Sequence, residues 1–417
     1  MSEAAADLQM RRRTVLFSYG ALCSLVAVKA VVAQALPILL SQLQEHPERV
    51  AETLSTVAAA SAALEFTLLP AAAALSDTHG RKPLLLALPA LIVLLRLMVV
   101  ANPCLRTLLL SRVVVGALVN YFDLFVGVTA ADLFSDDAEA LASLEGKTAA
   151  AWGAAYATGM VVGGWLLTHG GPAAAYVCSA ALGVLAFCFA LGAHETLPKS
   201  RRVPFSLRSA SNPLGFTKLF RSGRLVFLLA AILVLQTLHD GEGDVWQVYG
   251  GEIHGWDTKQ SSLYGAAVGV ASTAGGLLTG RSVRRLGNRN HSLLWTVSTA
   301  LACVLFAARS PYSSLAAASV AFTAAEDCMS AAVCAKLVQA GSAAGLRQGQ
   351  LAGAVHNLSA FVRVLGLYVF GRLYLGGVRM GLPSLPYLLV GAAQLLACAL
   401  MLAIPKADWD GRQPTKE

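Results

Sequence analysis

The chain has 417 residues, of which 56% are hydrophobic and only 13% are charged, and its mean hydropathy is +0.61. Soluble proteins of this size carry about a quarter charged residues, so the composition excludes an ordinary soluble domain. The formal net charge of +8 lies mainly in short loops between apolar segments, where it matches an anionic membrane surface and indicates no nucleic-acid partner.

Apolar windows recur along the whole chain, and each is long enough to cross the hydrocarbon core as a helix, which takes about 20 residues. Lipid offers backbone groups no hydrogen-bond partners, so these segments must be helical. The sequence therefore predicts an all-α integral membrane protein with twelve transmembrane helices. The predicted spans are 14–41, 50–75, 84–101, 105–131, 148–168, 173–193, 225–250, 258–280, 291–309, 312–338, 347–376 and 382–404.

Basic residues predict which ends of these spans face the cytoplasm. Inner loops of membrane proteins are enriched in Lys and Arg, and most of those residues fall inside if both termini are cytoplasmic. The inner segments then include the basic stretches 11–13, 199–224 and 281–289. The outer loops hold only Arg49, Arg106, Lys259, Arg309 and Arg379.

The stretch "LHDGEGDVWQVY" (238–249) places three carboxylates at the end of an apolar run. If it were a loop in water, the seventh helix would be too short to cross, and the basic stretch 281–289 would move outside. We therefore place the acids within the seventh span. Spacing of four residues puts Gln236, Asp240 and Asp244 on one helical face. Gly241 and Gly243 weaken a helix, which predicts a bend or an unwound turn here.

The basic stretch 194–224 divides six predicted spans from six. This predicts an N-terminal bundle (1–193), a cytoplasmic linker (194–224), a C-terminal bundle (225–404) and a cytoplasmic tail (405–417). Equal halves suggest a duplicated unit. Tight basic turns at Gly80 and Gly287 occupy the same place in each half, although Arg284 stands where the first half has Asp77.

Several motifs resemble those of the major facilitator superfamily, most closely the tetracycline-exporter or drug:proton antiporter type and its eukaryotic relatives. "LSDTHGRKP" resembles its loop motif, "SRVVVG" its fourth-helix motif, and "GAAYATGMVVGGWL" its glycine-rich fifth-helix motif. "HETLP" and the stretch 349–374 resemble its sixth and eleventh helices. The matching residues are Asp77, Gly80, Arg81 and Lys82; Arg112 and Gly116; and Gly153, Gly159, Gly163 and Gly164. Ala73 and Met160 depart from the pattern, replacing a glycine and a proline.

The resemblance implies two pseudo-symmetric six-helix bundles that rock about a central polar cavity. It also implies that Asp77 takes part in an inner latch, made in the outward-open state and broken in the other; a membrane anchor without a switching role is the alternative. We expect Asp77 to accept N–H groups at the start of the third span and to pair with a basic residue of another inner segment. We expect the fifth-helix glycines to permit close helix packing.

Charges inside a membrane are costly, so their positions point to function. In this superfamily the first, fourth, seventh and tenth helices line the cavity, and most of the intramembrane charges fall there. Lys29 is the expected counter-charge for Asp240 or Asp123, whereas Arg96 is expected to snorkel to the outer surface. For Glu65 and Arg363 a static bridge and a functional role are both open. The candidate substrate and proton residues are Lys29, Asp123, Gln236, Asp240, Asp244, Glu326, Asp327, His356 and Asn357.

These patterns predict a secondary transporter that exchanges protons for a small organic solute, cationic or amphipathic, and that works as a monomer in a lipid bilayer. Uptake or facilitated diffusion of a neutral nutrient is the first alternative, and a non-transporting receptor or scaffold of the same fold is the second. No nucleophile–base pair, metal-ligand spacing or cofactor motif stands out, so the sequence predicts neither an enzyme nor a bound cofactor or metal.

Overall fold

Helix occupies each of the twelve windows that the sequence predicts to cross a membrane, and the described part of the chain contains no strand. The prediction of an all-α membrane protein is therefore confirmed. The computed structural model describes residues 3–43, 47–133, 138–202, 204, 213–243, 245–309, 313–323, 326–346 and 348–410.

Most of the described helices are joined by short connections. In chain order the helices are α1 (Glu3–Val31), α2 (Ala35–Leu43), α3 (Pro47–His79), α4 (Arg81–Ala101), α5 (Leu105–Leu133), α6 (Ala138–Gly192), α7 (Arg224–Thr237), α8 (Val245–His254), α9 (Thr258–Phe306), α10 (Ser313–Ala318), α11 (Val320–Thr323), α12 (Glu326–Ala343), α13 (Gln348–Arg379), α14 (Leu385–Ala403) and α15 (Lys406–Asp410). Short 3-10 helices lie at Lys199–Arg201, Pro213–Arg221 and Leu238–Glu242.

Two of these helices, α6 and α9, each contain two predicted spans joined at one glycine. Gly171 has φ 70° and ψ −176°, and Gly287 has φ 77° and ψ 162°. This region of backbone space is open to glycine and strongly disfavoured for other residues. One residue therefore breaks the helix where the sequence predicts a short loop.

Eight helical stretches of the described chain are long and apolar enough to cross a membrane by length and composition alone. One of them, Ala150–Gly192, contains both the fifth and the sixth predicted spans. The two spans of α9 are not among the eight. The tenth span is divided among α10, α11 and α12.

The chain groups into two compact units. The first contains Met1–Val50, Ala60–Asn212 and Trp256–Gly269. Within it α1 packs along α6, and α4 packs against both α5 and α6. Its core is a continuous cluster of buried aliphatic and aromatic side chains, with Leu22 and Phe122 fully buried.

The second unit contains Ala51–Ala59, Pro213–Gly255 and Val270–Glu417. Within it α7 packs against α12, α13 and α14. Tyr249 of α8 is buried there, and its ring centroid lies 4.8 Å from that of Tyr387. The four-part division of the chain at 193, 224 and 404 stays a prediction.

Sidedness can be measured at Cys104, which lies between α4 and α5 in a predicted outer loop. Hydrogen bonds from the backbone N–H and then the hydroxyl of Thr107 hold the pKa of the Cys104 thiol below its usual range. More of it is therefore thiolate at neutral pH than in an ordinary cysteine. We expect a membrane-impermeant maleimide to label Cys104 in intact cells, faster as the pH rises until the thiol is fully ionised.

Thr107→Ala removes the hydroxyl's contribution to the lowered pKa. It should slow labelling at neutral pH by about twofold, because less of the thiol is ionised, and leave the rate in alkali unchanged. Cys104→Ser gives the background. Labelling that needs permeabilised cells would reverse the predicted topology.

Candidate functional site

The seventh span is broken at its acidic stretch, as the sequence predicts. Helix α7 ends at Thr237, a 3-10 turn covers Leu238–Glu242, and α8 resumes at Val245. The turn lies against the backbone of α13, because a Cβ added to Gly241 would be 2.8 Å from the carbonyl carbon of Gly366. The predicted unwinding is confirmed.

Arg363 of α13 reaches this turn and pairs with Asp240. Its Nε lies 3.4 Å from Oδ2 of Asp240, and the two side chains are 32% and 39% exposed respectively. His239 lies between the two acids, with Nδ1 3.8 Å from Oδ1 of Asp240 and Nε2 3.9 Å from Oε1 of Glu242. Two carboxylates and an imidazole from the turn thus lie beside a guanidinium from α13. Binding or loss of one proton changes the net charge of this group.

Gln236 does not share a face with Asp240, contrary to the prediction. It is fully buried, and its Nε2 donates to Oγ1 of Thr296 at 2.8 Å. The amide of Gln394 in α14 donates to its backbone carbonyl at 3.2 Å. Helix α7 ends just after Gln236, so residues four positions apart across this end no longer lie on one helical face. Gln236 faces the packed interior.

Five other candidate site residues lie in this unit. Asp244 lies outside the described residues, and so do the side chains of Glu326 and Asp327 at the start of α12. On α13 the His356 side chain is exposed and that of Asn357 is half-buried. Their roles stay predictions.

In the first unit the charged side chains of α1, α3 and α5 have partners of several kinds. The ammonium of Lys29 lies 5.7 Å from the ring centroid of Trp152, within cation–π range. The predicted pairing of Lys29 with Asp240 or Asp123 stays a prediction. Glu65 accepts a 2.6 Å hydrogen bond from Asn120. Asp123 is half-buried on α5.

Arg96 is a second residue whose position differs from the sequence prediction. It does not snorkel: the side chain is 2% exposed, donates to Oγ of Ser111 at 3.1 Å, and lies over the ring of Tyr176 at 5.5 Å. Arg112 is close enough for its positive charge to repel that of Arg96. The spacing of Arg96 in the sequence could have indicated its burial. It lies on the helical face of α4 that also holds the buried side chains of Leu85, Leu88, Ile92 and Val99.

The fourth-helix motif makes a close contact of its own. A Cβ added to Gly116 would overlap the hydroxyl of Ser61 and come within 3.3 Å of Nη1 of Arg112. The glycine therefore lets α5 approach α3 beside the arginine, which is half-buried.

The loop motif between α3 and α4 forms a compact ionic cluster. Nη1 of Arg81 lies 2.6 Å from Oδ1 of Asp77, and its Nε lies 3.1 Å from Oδ2 of Asp132 in α5. Lys82 donates to the carbonyl of Leu191 near the end of α6, at 3.1 Å. Arg81 is buried, so three helix ends meet on one guanidinium.

Glu195, and not Asp77, caps the start of α4. Its carboxylate accepts the backbone N–H of Arg81 at 2.9 Å and that of Lys82 at 3.3 Å. The sequence expectation for Asp77 was wrong on this point, because Asp77 is still inside α3 and pairs with Arg81 four residues on. Gly80 has φ 103°, and a Cβ on it would overlap the Glu195 carboxylate.

The glycines of the fifth span let α6 approach two helices. A Cβ on Gly159 would lie 2.5 Å from that of Ala30, and a Cβ on Gly163 would overlap the carbonyl oxygen of Val31, both in α1. On another side, a Cβ on Gly164 would lie 2.5 Å from the hydroxyl of Ser262 in α9. Nearer the start of the span, the carbonyl oxygen of Gly153 would lie 2.6 Å from a Cβ on Gly269.

The sequence matches a family model described as Major Facilitator Superfamily over residues 18–367, which is most of the chain. The chain belongs to the Major Facilitator Superfamily. Membership of this superfamily indicates a multi-pass membrane transporter and not an enzyme. Within the described residues, no group of three or more His, Cys, Asp or Glu side chains is placed to hold a metal ion.

Relatives within the superfamily differ in what they carry. The tetracycline resistance protein, class C, of Escherichia coli is 26% identical over 285 residues, 66% of this chain and 69% of that protein. The human organic anion transporter MFSD10 (TETRAN) has a TM-score of 0.67 at 18% identity, covering 94% of this chain and 99% of that one. A D-xylose–proton symporter has a TM-score of 0.71 at 16% identity, covering 97% and 100%. At these identities the two structures share the superfamily fold alone.

Gly80→Ala in the superfamily's loop motif should destabilise the protein through two costs. The backbone angle is unfavourable for alanine, and the methyl would press on the carboxylate of Glu195. Gly171→Ala carries only the backbone cost, about 1–3 kcal/mol, because nothing lies within 4 Å of a Cβ there. Gly376→Ala carries neither. We expect melting temperatures in detergent to fall most for Gly80→Ala, less for Gly171→Ala, and not for Gly376→Ala.

Gly163→Ala should weaken the packing of α6 on α1, because its methyl has no room beside the Val31 carbonyl. Overpacking of this kind costs about 1–3 kcal/mol. Gly127→Ala in α5 is the matched control, since a Cβ there meets no atom within 4 Å. A melting temperature for Gly163→Ala equal to that of the control would contradict the close approach.

Proposed function

We propose that this transporter exchanges protons for a small organic solute by alternating access, and that Asp240 and Arg363 form its coupling site. The observation that carries the proposal is their ion pair in the broken turn of the seventh span, at 3.4 Å. An intramembrane ion pair on a discontinuous helix is a typical arrangement for a transporter's binding site.

The pair is suited to opening and closing. Charge-assisted hydrogen bonds are about 2.7–2.9 Å long, so the Asp240–Arg363 contact is a loose one. Neither side chain is fully buried. A proton that binds Asp240 removes its charge and so weakens its attraction for Arg363, and the neighbouring imidazole of His239 is a second group that can bind a proton.

Competition at one carboxylate explains exchange. A cationic group of the solute and a proton both require the charge of Asp240, so one binds after the other has left. If solute and proton bound independently, the gradient of one would do no work on the other. The tetracycline resistance relative supports an organic solute of drug-like size for this chain.

A second function is favoured by Arg363. Once Asp240 is protonated, it no longer neutralises the guanidinium, whose charge then attracts a carboxylate or another anionic group, and the solute would move in the same direction as the proton. The organic anion transporter and the D-xylose–proton symporter among the structural relatives support this alternative. The direction of proton movement separates the two.

The remaining features form one proposed arrangement. Both termini lie in the cytoplasm, and the protein acts as a monomer. The Asp77–Arg81–Asp132 cluster holds the inner ends of α3, α4 and α5 together and forms part of the inner gate.

The test is transport in liposomes that contain a pH dye and are more acidic inside than outside. Cationic, neutral and anionic solutes are added outside in turn. Exchange predicts that a cationic solute raises the internal pH, and Asp240→Asn should reduce this signal to the level of protein-free liposomes. Asp408→Asn, an exposed acid on α15, is the matched control and should transport normally.

Other outcomes have distinct meanings. An internal pH that falls on addition of an anionic solute identifies cotransport. Radiolabelled solute that enters without any proton flux identifies a facilitator. A folded protein that transports nothing in a broad panel favours a receptor or scaffold, and coupled flux that survives Asp240→Asn moves the coupling site elsewhere.

A further inference from the structure

The linker ends in a 3-10 helix, Pro213–Arg221, that stops just before α7 enters the membrane at Arg224. A 3-10 helix has three residues per turn, so side chains three positions apart lie on one face. The nine residues of this helix therefore present three separate faces, and each has a different chemistry.

The first face fixes the segment to the second unit. Phe216 and Leu219 are both buried, and the ring of Phe216 lies 5.2 Å from that of Phe361 in α13. The end of the linker is therefore part of the folded unit and holds a defined position beside α13.

The second face carries two apolar side chains, Leu214 and Phe220, with the exposed Thr217 between them. Leu214 is 53% exposed, and Phe220, two turns further on, packs edge-on against Phe227 at 5.8 Å. Phe227 belongs to the first turn of α7 and is 46% exposed. This face therefore continues the exposed apolar surface of a predicted membrane span.

The third face is basic. Lys218 and Arg221 are exposed and lie three residues apart on this face, and Arg224, also exposed, begins α7 just beyond the turn at Gly223. In the part of the chain that the structure describes, none of the three forms an ion pair with an acid. Their positive charges therefore face the surroundings of the protein at the start of the seventh predicted span.

We propose that this 3-10 helix is a binding site for an anionic phospholipid of the inner leaflet. The phosphate group lies on Lys218, Arg221 and Arg224, and the acyl chain runs along Leu214 and Phe227. Basic residues beside an apolar surface at the start of a span match the chemistry of such a lipid. A zwitterionic lipid leaves the excess positive charge unbalanced. The site does not depend on which solute is transported.

The experiment compares lipids of identical chains, phosphatidylglycerol and phosphatidylcholine, bound to the purified full-length protein and counted by native mass spectrometry. We expect phosphatidylglycerol to be retained in preference. Each basic residue near a membrane surface contributes roughly a fivefold change in affinity. The triple variant Lys218→Gln, Arg221→Gln, Arg224→Gln should therefore lose about a hundredfold in affinity for phosphatidylglycerol.

A matched triple variant, Arg281→Gln, Arg284→Gln, Arg285→Gln, removes the same charge from exposed residues in the turn before Gly287. It should retain the lipid, and equal loss in both triples would overturn a localised site in favour of general surface charge. Leu214→Ser should weaken binding without changing charge. Displacement of the lipid by inorganic phosphate alone would show that the acyl chain contributes nothing and would also overturn the proposal.

The variants are on the surface, and their melting temperatures should match the unmodified protein. If the triple variant at the 3-10 helix fails to fold, Arg221→Gln alone gives the same test with an expected loss of about fivefold. Retention of phosphatidylglycerol by a folded Arg221→Gln protein at full affinity would contradict the assignment.

Discussion

Hydrocarbon cannot hydrogen-bond, so the backbone groups of a membrane-spanning helix must find their partners inside the protein, and side-chain polar groups are stabilised where they do the same. The backbone meets this constraint by folding into helices. The side chains meet it through pairs between neighbouring helices, such as Gln236 with Thr296 and Glu65 with Asn120. Burial of Arg96 follows the same logic, because its guanidinium is held between a hydroxyl and an aromatic ring. These pairs fix the rotation of each helix about its axis, and the positions of the functional groups follow.

Where the seventh span is broken, the turn packs closely against the backbone of α13, and a side chain on either side would prevent this. This explains why the turn of the seventh span contains glycine and lies against a glycine of α13. The same close approach brings Arg363 to Asp240. The break and the ion pair are thus two results of one packing arrangement, which puts a titratable group beside the most deformable part of the span.

The fold was largely predictable from the sequence, because hydropathy and basic loops report local properties. Breaking of the seventh span was predictable too, since two glycines close together among acids destabilise a helix locally. Side-chain partners were not. Glu195 accepts an N–H group 114 residues away in the chain, and no local pattern indicates that distance. Gln236 was misplaced for a related reason: helical spacing was extended across a turn that ends the helix.

Gly80 and Gly287 occupy matching turns of the two halves, with φ 103° and 77°. Around the first, a Cβ would meet a carboxylate and a guanidinium, whereas around the second it would meet nothing within 4 Å. The two turns therefore share a backbone torsion and differ in what surrounds it. A side chain at position 287 would meet only the cost of the torsion, whereas one at position 80 would also have to displace charged groups. The same turn is thus a simple connection in one half and the centre of an ionic cluster in the other.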